Sequence, residues 1–148
     1  MTFAVSVMPP ITFRLRPRKT SRLWFAVHIA PSAVEMRKTM RRSSARPVDT
    51  HLLAAVDAVR SADTQLRGLI GIMWMNQECL GAGIVSHELA HAAYRYTGRL
   101  NIVVKHYDRR PGRHGGTTDP SEEWFCQVVE HLNKTFWRHV YRLKLATS

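Results

Sequence analysis

The chain has 148 residues, 45% of them hydrophobic, which suits one domain with a buried core. Its formal net charge is +11, from 22 Lys and Arg residues against 11 Asp and Glu residues. No apolar run approaches the roughly 20 residues that a membrane-spanning helix needs, and two cysteines are too few for a disulfide framework. These features argue against a membrane protein and a disulfide-stabilised secreted domain, and we expect a cytoplasmic protein.

The first third of the chain is predicted to contain strands. Apolar residues, partly in alternation, predict strands over 11–16 and 23–29, each close to a proline. Residues 2–7 fit a strand or an extended arm. Residues 32–46, which contain many arginines, fit a short basic helix or an exposed connector.

The middle of the chain is predicted to combine helices with short strands. Apolar residues at helical spacing predict a helix from Asp49 or Thr50 to about residue 67, and an apolar run predicts a strand over 69–75. A helix over 83–97 is expected to end at Gly98, a usual C-terminal stop.

The last third is predicted to end in a long helix. Residues 101–107 fit a short strand, and the Gly-rich segment 108–118 fits a loop. Asp119 as N-cap and Pro120 at the first position begin a helix that runs to about Lys144.

The most informative motif is His87-Glu88-Leu89-Ala90-His91, with the pattern H-E-x-x-H. On a helix of about 3.6 residues per turn, positions i and i+4 share a face, so His87 and His91 can bind one metal ion. Glu88 can reach a water molecule on that metal. The pattern is typical of zinc-dependent hydrolases, and a surface helix with incidental histidines is the alternative.

A catalytic zinc ion usually has three protein ligands and one open position. Glu122 and Glu123, at the start of the last predicted helix, are the best candidates for the third ligand. Glu122 lies one turn before the apolar positions of that helix, so we expect it to point toward the core, and Glu123 is the alternative. At its position, Glu122 would also suit a capping box with Asp119.

Residues 83–93 and 122–126 resemble parts of small HExxH…E metallopeptidases of the gluzincin type. The chain is most similar to short proteins of this type from phages and mobile elements, and more distantly to the ImmA/IrrE-like peptidases. The matching parts cover about residues 69–136. Trp124 and Phe125 stand where ImmA/IrrE-like proteins usually carry an Asn, so the resemblance does not extend to repressor cleavage.

The resemblance implies an α+β fold with a minimal zincin-like core. In such a core, a small, mostly antiparallel sheet packs with the HExxH helix and a C-terminal helix that bears the Glu ligand. We expect a single domain over residues 1–148, with a basic, strand-rich part over 1–47 and the zincin core over 48–148. Residues 69–76 would lie along the cleft and pair with an extended substrate, or form an ordinary core strand.

The function expected from these features is that of a zinc metallopeptidase acting on a protein or peptide. Zn²⁺ would lower the pKa of its bound water, and Glu88 would serve as general base. Donors for the developing oxyanion, or substrate contacts, are sought among four residues. These candidates are Tyr94, His106, Tyr107 and His114.

The basic residues are concentrated near the two ends of the chain. Residues 1–50 hold ten Lys or Arg against two acidic residues, and residues 131–148 hold four with no acidic residue. This bias favours a polyanionic partner such as nucleic acid, and an ordinary solvated surface explains it equally well. The alternative function is therefore a catalytically silent zinc-binding protein whose basic surface binds nucleic acid or a protein partner. No membrane association is expected.

Overall fold

A computed structural model describes residues 9–43, 47–59, 67–105 and 120–143, and in these ranges four strands and three α-helices form an α+β fold. The predicted α+β class is therefore confirmed, and the zincin-like core stays a prediction. The strands are β1 (Ile11–Leu15), β2 (Trp24–Ala30), β3 (Ala55–Ala58) and β4 (Leu69–Asn76). The helices are α1 (Ala33–Ser43), α2 (Ala82–Arg99) and α3 (Pro120–Arg142), and a 3₁₀ turn over Gln77–Cys79 follows β4.

The four strands form one mixed sheet in the order β1-β2-β4-β3. β1 and β2 are antiparallel, β2 and β4 are parallel, and β4 and β3 are antiparallel. β4 is thus hydrogen-bonded on both sides, so of the two alternatives for residues 69–76 the structure has the ordinary core strand and not the strand that pairs with substrate. The edges of the described sheet are β1 and β3, and the basic first part of the chain shares this sheet with the rest.

The two faces of the sheet bury separate apolar clusters, because successive side chains of a strand point to opposite faces. On one face, α1 places two buried methionines against β2, β3 and β4, in a cluster formed by Ala30, Met36, Met40, Ala55 and Trp74. The other face carries the larger cluster beneath α2 and α3, with members that include Phe25, Val27, Ile29, Met73, Met75, Leu89, Leu132 and Phe136. The helices α2 and α3 are therefore held on the same side of the sheet.

The helix predicted from Asp49 or Thr50 to about residue 67 was wrong over residues 49–59, which contain β3 instead. Val56 is buried, and Asp57 accepts a hydrogen bond from Trp74 Nε1 at 3.0 Å. Pairing with β4 thus overrides the weak helical preference of this alanine-containing segment. Residues 60–66 lie outside the described ranges.

The other predicted elements agree with the structure to different extents. Residues 33–43 form a basic helix rather than an exposed connector, and α2 continues one residue past Gly98. Residues 101–105 form no strand: a turn follows α2, with Asn101 at a φ of 56°. The predictions for residues 2–7 and 108–118 lie outside the described residues. Among the described helices, none is both long enough and apolar enough to cross a membrane.

Candidate active site

The side chains of His87 and His91 meet on an exposed face of α2. Their Nε2 atoms lie 3.1 Å apart, and their ring planes are inclined at 77°. Two ligands each about 2.0–2.1 Å from a tetrahedral zinc ion would lie roughly 3.3–3.4 Å apart. The pair therefore fits two zinc ligands with a small adjustment, and without metal the same distance suits an N–H···N hydrogen bond.

Glu88 follows the first histidine but is buried, with only 7% of its surface exposed. Burial raises the pKa of Glu88 above the usual carboxyl value, while the charges of His91 and His87 oppose part of this rise. A carboxylate that holds its proton more tightly is a better general base near neutral pH. The helix thus sets a buried carboxylate beside two exposed imidazole rings.

Two open cavities border α2 on either side of the motif. The His87 groove has a volume of about 510 Å³ and is lined by Asp49, His51, Leu52, Leu53, Ala54, Gly83, Ile84, His87 and Glu88. The His91 groove has a volume of about 440 Å³ and is lined by Ala58, Val59, Ile70, His91, Tyr94, Arg95, Gly98 and Arg99. The His87 groove reaches the residues just before β3, and the His91 groove reaches the end of β3. This edge strand therefore runs from one groove to the other, beside the motif.

The outer edge of β3 has backbone groups directed away from β4. Val59 donates its backbone N–H to Ile70 O at 3.2 Å, which directs the N–H of residue 59 toward β4. Because successive residues of a strand direct their N–H and C=O groups to opposite sides, Val56 and Ala58 direct theirs outward. An extended chain lying beside β3 could form hydrogen bonds with these N–H and C=O groups.

The sequence prediction missed Asp49 and His51, which line the His87 groove. Asp49 Oδ1 accepts the backbone N–H of His51 at 2.8 Å, and this local turn places the imidazole in the groove. Asp49 or Thr50 was expected to begin a helix, although an aspartate two residues before the N–H that it binds is also typical of a turn. That turn chemistry was the signal that could have revealed His51.

The segment before β3 is held in place by Asn76, a buried residue at the end of β4. Its Nδ2 donates to Leu53 O at 2.8 Å, and its Oδ1 accepts from Cys79 N at 3.0 Å. One amide thereby joins a wall of the His87 groove to the turn that leads toward α2.

The two predicted third ligands lie in the first turn of α3. Glu122 is partly buried and Glu123 is exposed, which matches the facing expected from the helical pattern. Glu122 lines a third cavity of about 600 Å³ between α2, α3 and residues 102–104, and Tyr94 lines both this cavity and the His91 groove. Tyr94 is 74% exposed there.

Across the described parts of the chain, no three His, Cys, Asp or Glu side chains are grouped closely enough to hold a metal ion. The structure brings the His87 and His91 rings together, with Glu88 adjacent on the buried side of α2, and the role of Glu122 or Glu123 stays a prediction. The remaining candidates, His106, Tyr107 and His114, lie outside the described residues. We found no match to this chain among protein-family models, curated proteins or solved structures.

Proposed function

We propose that this protein is a zinc-dependent peptidase in which His87 and His91 are zinc ligands and Glu88 is the general base. The observation that carries the proposal is the 3.1 Å separation of the two Nε2 atoms beside a buried carboxylate. An incidental pair of surface histidines would not require an adjacent buried glutamate, since burying a carboxylate costs free energy.

The zinc ion held by His87 and His91 and the Glu88 carboxylate would have distinct tasks in this reaction. A bound zinc ion would supply a Lewis acid that polarises a carbonyl and lowers the pKa of a water molecule. Glu88 would take the proton of the attacking water and deliver it to the leaving amine. Its position on the buried side of α2 restricts its motion and its contact with bulk water.

Glu122 is the preferred third ligand because it is the more buried of the two candidates. The start of α3 is fixed against α2 by the stacked rings of Tyr96 and Trp124, whose centroids lie 5.7 Å apart. This contact holds the Glu-bearing turn near the motif helix, and Glu123 is the alternative ligand on the same turn.

The substrate class that suits the grooves is an extended peptide. Such a chain would pair with the outward N–H and C=O groups of Val56 and Ala58 and extend the sheet by one strand. The grooves at the two ends of β3 would then receive its side chains. His51, in the His87 groove, is a candidate donor to the developing oxyanion.

Metal analysis of the purified protein tests the first part of the proposal. We expect about one zinc ion per chain in the wild type, as a ligand set of this kind requires, and loss of zinc in His87→Ala and His91→Ala. His131→Ala, which changes a histidine on α3, is the matched control and should keep its zinc. A wild type that binds no zinc under saturating conditions would contradict the proposal.

Glu88→Gln tests the catalytic part, because it removes the base and keeps the size of the side chain. We expect this variant to retain zinc and to cleave a peptide library about 10²–10⁴-fold more slowly, the usual contribution of a general base. Cleavage at the wild-type rate would eliminate Glu88 as the base. Comparing zinc affinity in Glu122→Gln and Glu123→Gln then decides which carboxylate completes the site.

A further inference from the structure

One face of α3 combines positive charge with an exposed aromatic ring. Residues three or four positions apart share a helix face, and this spacing connects Gln127, His131, Lys134, Arg138 and Tyr141. The Lys134 side chain is 67% exposed and the Tyr141 residue is 66% exposed. Arg138 and the neighbouring Arg142 are also exposed.

The turn between β1 and β2 extends this face with two more cations. Arg18 and Lys19 line a cavity of about 320 Å³ against α3, together with Thr20, Gln127 and His131. These five side chains offer hydrogen-bond donors and no carboxylate. The Arg18 guanidinium carbon also lies 6.0 Å from the centre of the Trp124 ring, a contact that holds this turn against α3.

We refer to Arg18, Lys19, Gln127, His131, Lys134, Arg138, Tyr141 and Arg142 as the α3 basic face. The positive charges on this face are close enough to affect the protonation of a neighbouring residue. Burial and the positive charges of Arg138, Arg18 and Lys134 lower the pKa of His131. Glu130 forms an ion pair with Lys134, with 2.6 Å between Oε1 and Nζ. Grouping like charges costs folding stability, and a bound polyanion would offset that cost.

We propose that the α3 basic face binds the sugar-phosphate backbone of single-stranded nucleic acid. The arginines and lysines supply charge and donors for successive phosphates, and the exposed ring of Tyr141 supplies a surface on which a base can stack. An acidic protein would match the charge but would gain less from an exposed aromatic ring. The face shares no residue with the His87 or His91 groove, so the proposal does not depend on peptidase activity.

Fluorescence anisotropy of a labelled 20-nucleotide oligothymidylate, titrated with the full chain in 50 mM salt, tests the proposal. We expect saturable binding that weakens as salt increases. The double variant Lys134→Gln/Arg138→Gln should bind at least about tenfold more weakly and should show a shallower salt dependence, by about 0.7 in slope for each phosphate that is no longer neutralised. Tyr141→Ala should weaken binding about tenfold, because a stacked base contributes on this scale.

Two control variants make the result specific to this face. Arg41→Gln/Arg42→Gln removes the same charge from exposed positions on α1, which packs on the opposite face of the sheet, and should change affinity less than about twofold. Glu130→Gln removes the carboxylate beside Lys134 and should strengthen binding. Circular dichroism of each variant establishes that it is folded.

Several outcomes would overturn the proposal. They are the absence of binding in 50 mM salt, equal losses of affinity in the α1 and α3 double variants, and full affinity in Tyr141→Ala. Polyglutamate that competes as well as unlabelled oligonucleotide would indicate an acidic protein partner, and preferential binding to vesicles of anionic phospholipid would indicate a membrane surface. Either of these results would replace nucleic acid as the ligand.

Discussion

The side-chain amide of Asn76 donates a hydrogen bond to the backbone carbonyl of Leu53 at 2.8 Å. The two residues are 23 positions apart in sequence, so the bond joins the end of β4 to the segment that lines the His87 groove. The Asn76 side chain is buried, with 1% of the residue exposed, whereas Leu53 at the other end of the bond is 43% exposed. The shape of the groove therefore depends on a residue that does not line it.

Replacing Asn76 with Ala should lower the free energy of unfolding by about 1–3 kcal/mol, because the partly buried Leu53 O and Cys79 N groups lose their hydrogen-bond partner. Urea denaturation measures the change. Asn133→Ala is the matched control, since Asn133 Nδ2 donates to Val129 O within α3 at 3.0 Å and joins no separate segments. Equal losses of stability in the two variants would contradict the role assigned to Asn76.

Gly68 should tolerate substitution much less well than Gly98. Gly68 has a φ of 88°, and a Cβ atom there would collide with the carbonyl oxygen of Arg22. Gly68→Ala should cost about 2 kcal/mol or more, since strain from the unfavourable φ adds to the clash. Gly98 lies in α2 with nothing within 4 Å of a Cβ, so Gly98→Ala should stabilise the fold by about 0.5–1 kcal/mol. Thermal unfolding of both variants measures the contrast, and destabilisation of similar size in both would be inconsistent with it.

Acidification should destabilise the fold partly through His28. Its ring packs on Trp74 with 4.9 Å between centroids, and within the described residues its buried Nε2 has no hydrogen-bond partner. Burial lowers the pKa of His28 in the folded protein below the usual value. As the pH falls, the unfolded chain therefore takes up a proton at His28 before the folded protein does. The contribution of neutral His28 to the free energy of unfolding is complete above a pH of about 6.5 and is lost as the pH falls below that value.

Melting temperatures between pH 7.5 and 5.0 measure this effect, and His28→Phe keeps an aromatic ring against Trp74 while removing the titrating group. The wild type should lose more stability over this range than the variant. Parallel curves would show that His28 does not contribute. His131 and His139, whose pKa values are also lowered, are present in both proteins and cancel in the comparison.

If substrate pairs with β3, Ala58→Pro should impair cleavage without disrupting the sheet. The variant removes an outward N–H, while Val59 keeps its bond to Ile70. We expect kcat/KM to fall about tenfold, the effect of losing one hydrogen bond, with a small change in melting temperature. Ala58→Val keeps the N–H and is the control. Equal activity in the two variants would mean that substrate does not pair with this edge.

Much of the fold could be predicted because its main elements carry strong periodic patterns. β2 and β4 are nearly continuous apolar runs, and α3 has an apolar face that repeats at helical spacing. β3 could not be predicted in this way, since it has four residues and two of them are alanine. Its conformation is decided by pairing with β4, a tertiary interaction that a local sequence pattern does not contain.

The candidate site was likewise predictable only where local sequence spacing decides the geometry. The helical period alone predicts that His87 and His91 lie together, and their Nε2 atoms are 3.1 Å apart in the structure. The position of Glu122 relative to them depends on how α3 packs against α2, which helical spacing within α3 does not specify. His51 was missed because its place in the groove depends on the turn at Asp49.

The edge position of β3 has a further consequence for how the protein would respond to a bound peptide. A four-residue edge strand, paired on one side in the described sheet, is the kind of element that opens locally before the rest of a domain. A peptide lying beside it would make β3 an interior strand. We therefore expect peptide binding to slow amide hydrogen exchange at Val56 and Ala58 before any bond is cut. Peptide occupancy could then be followed in the slowly cleaving Glu88→Gln variant.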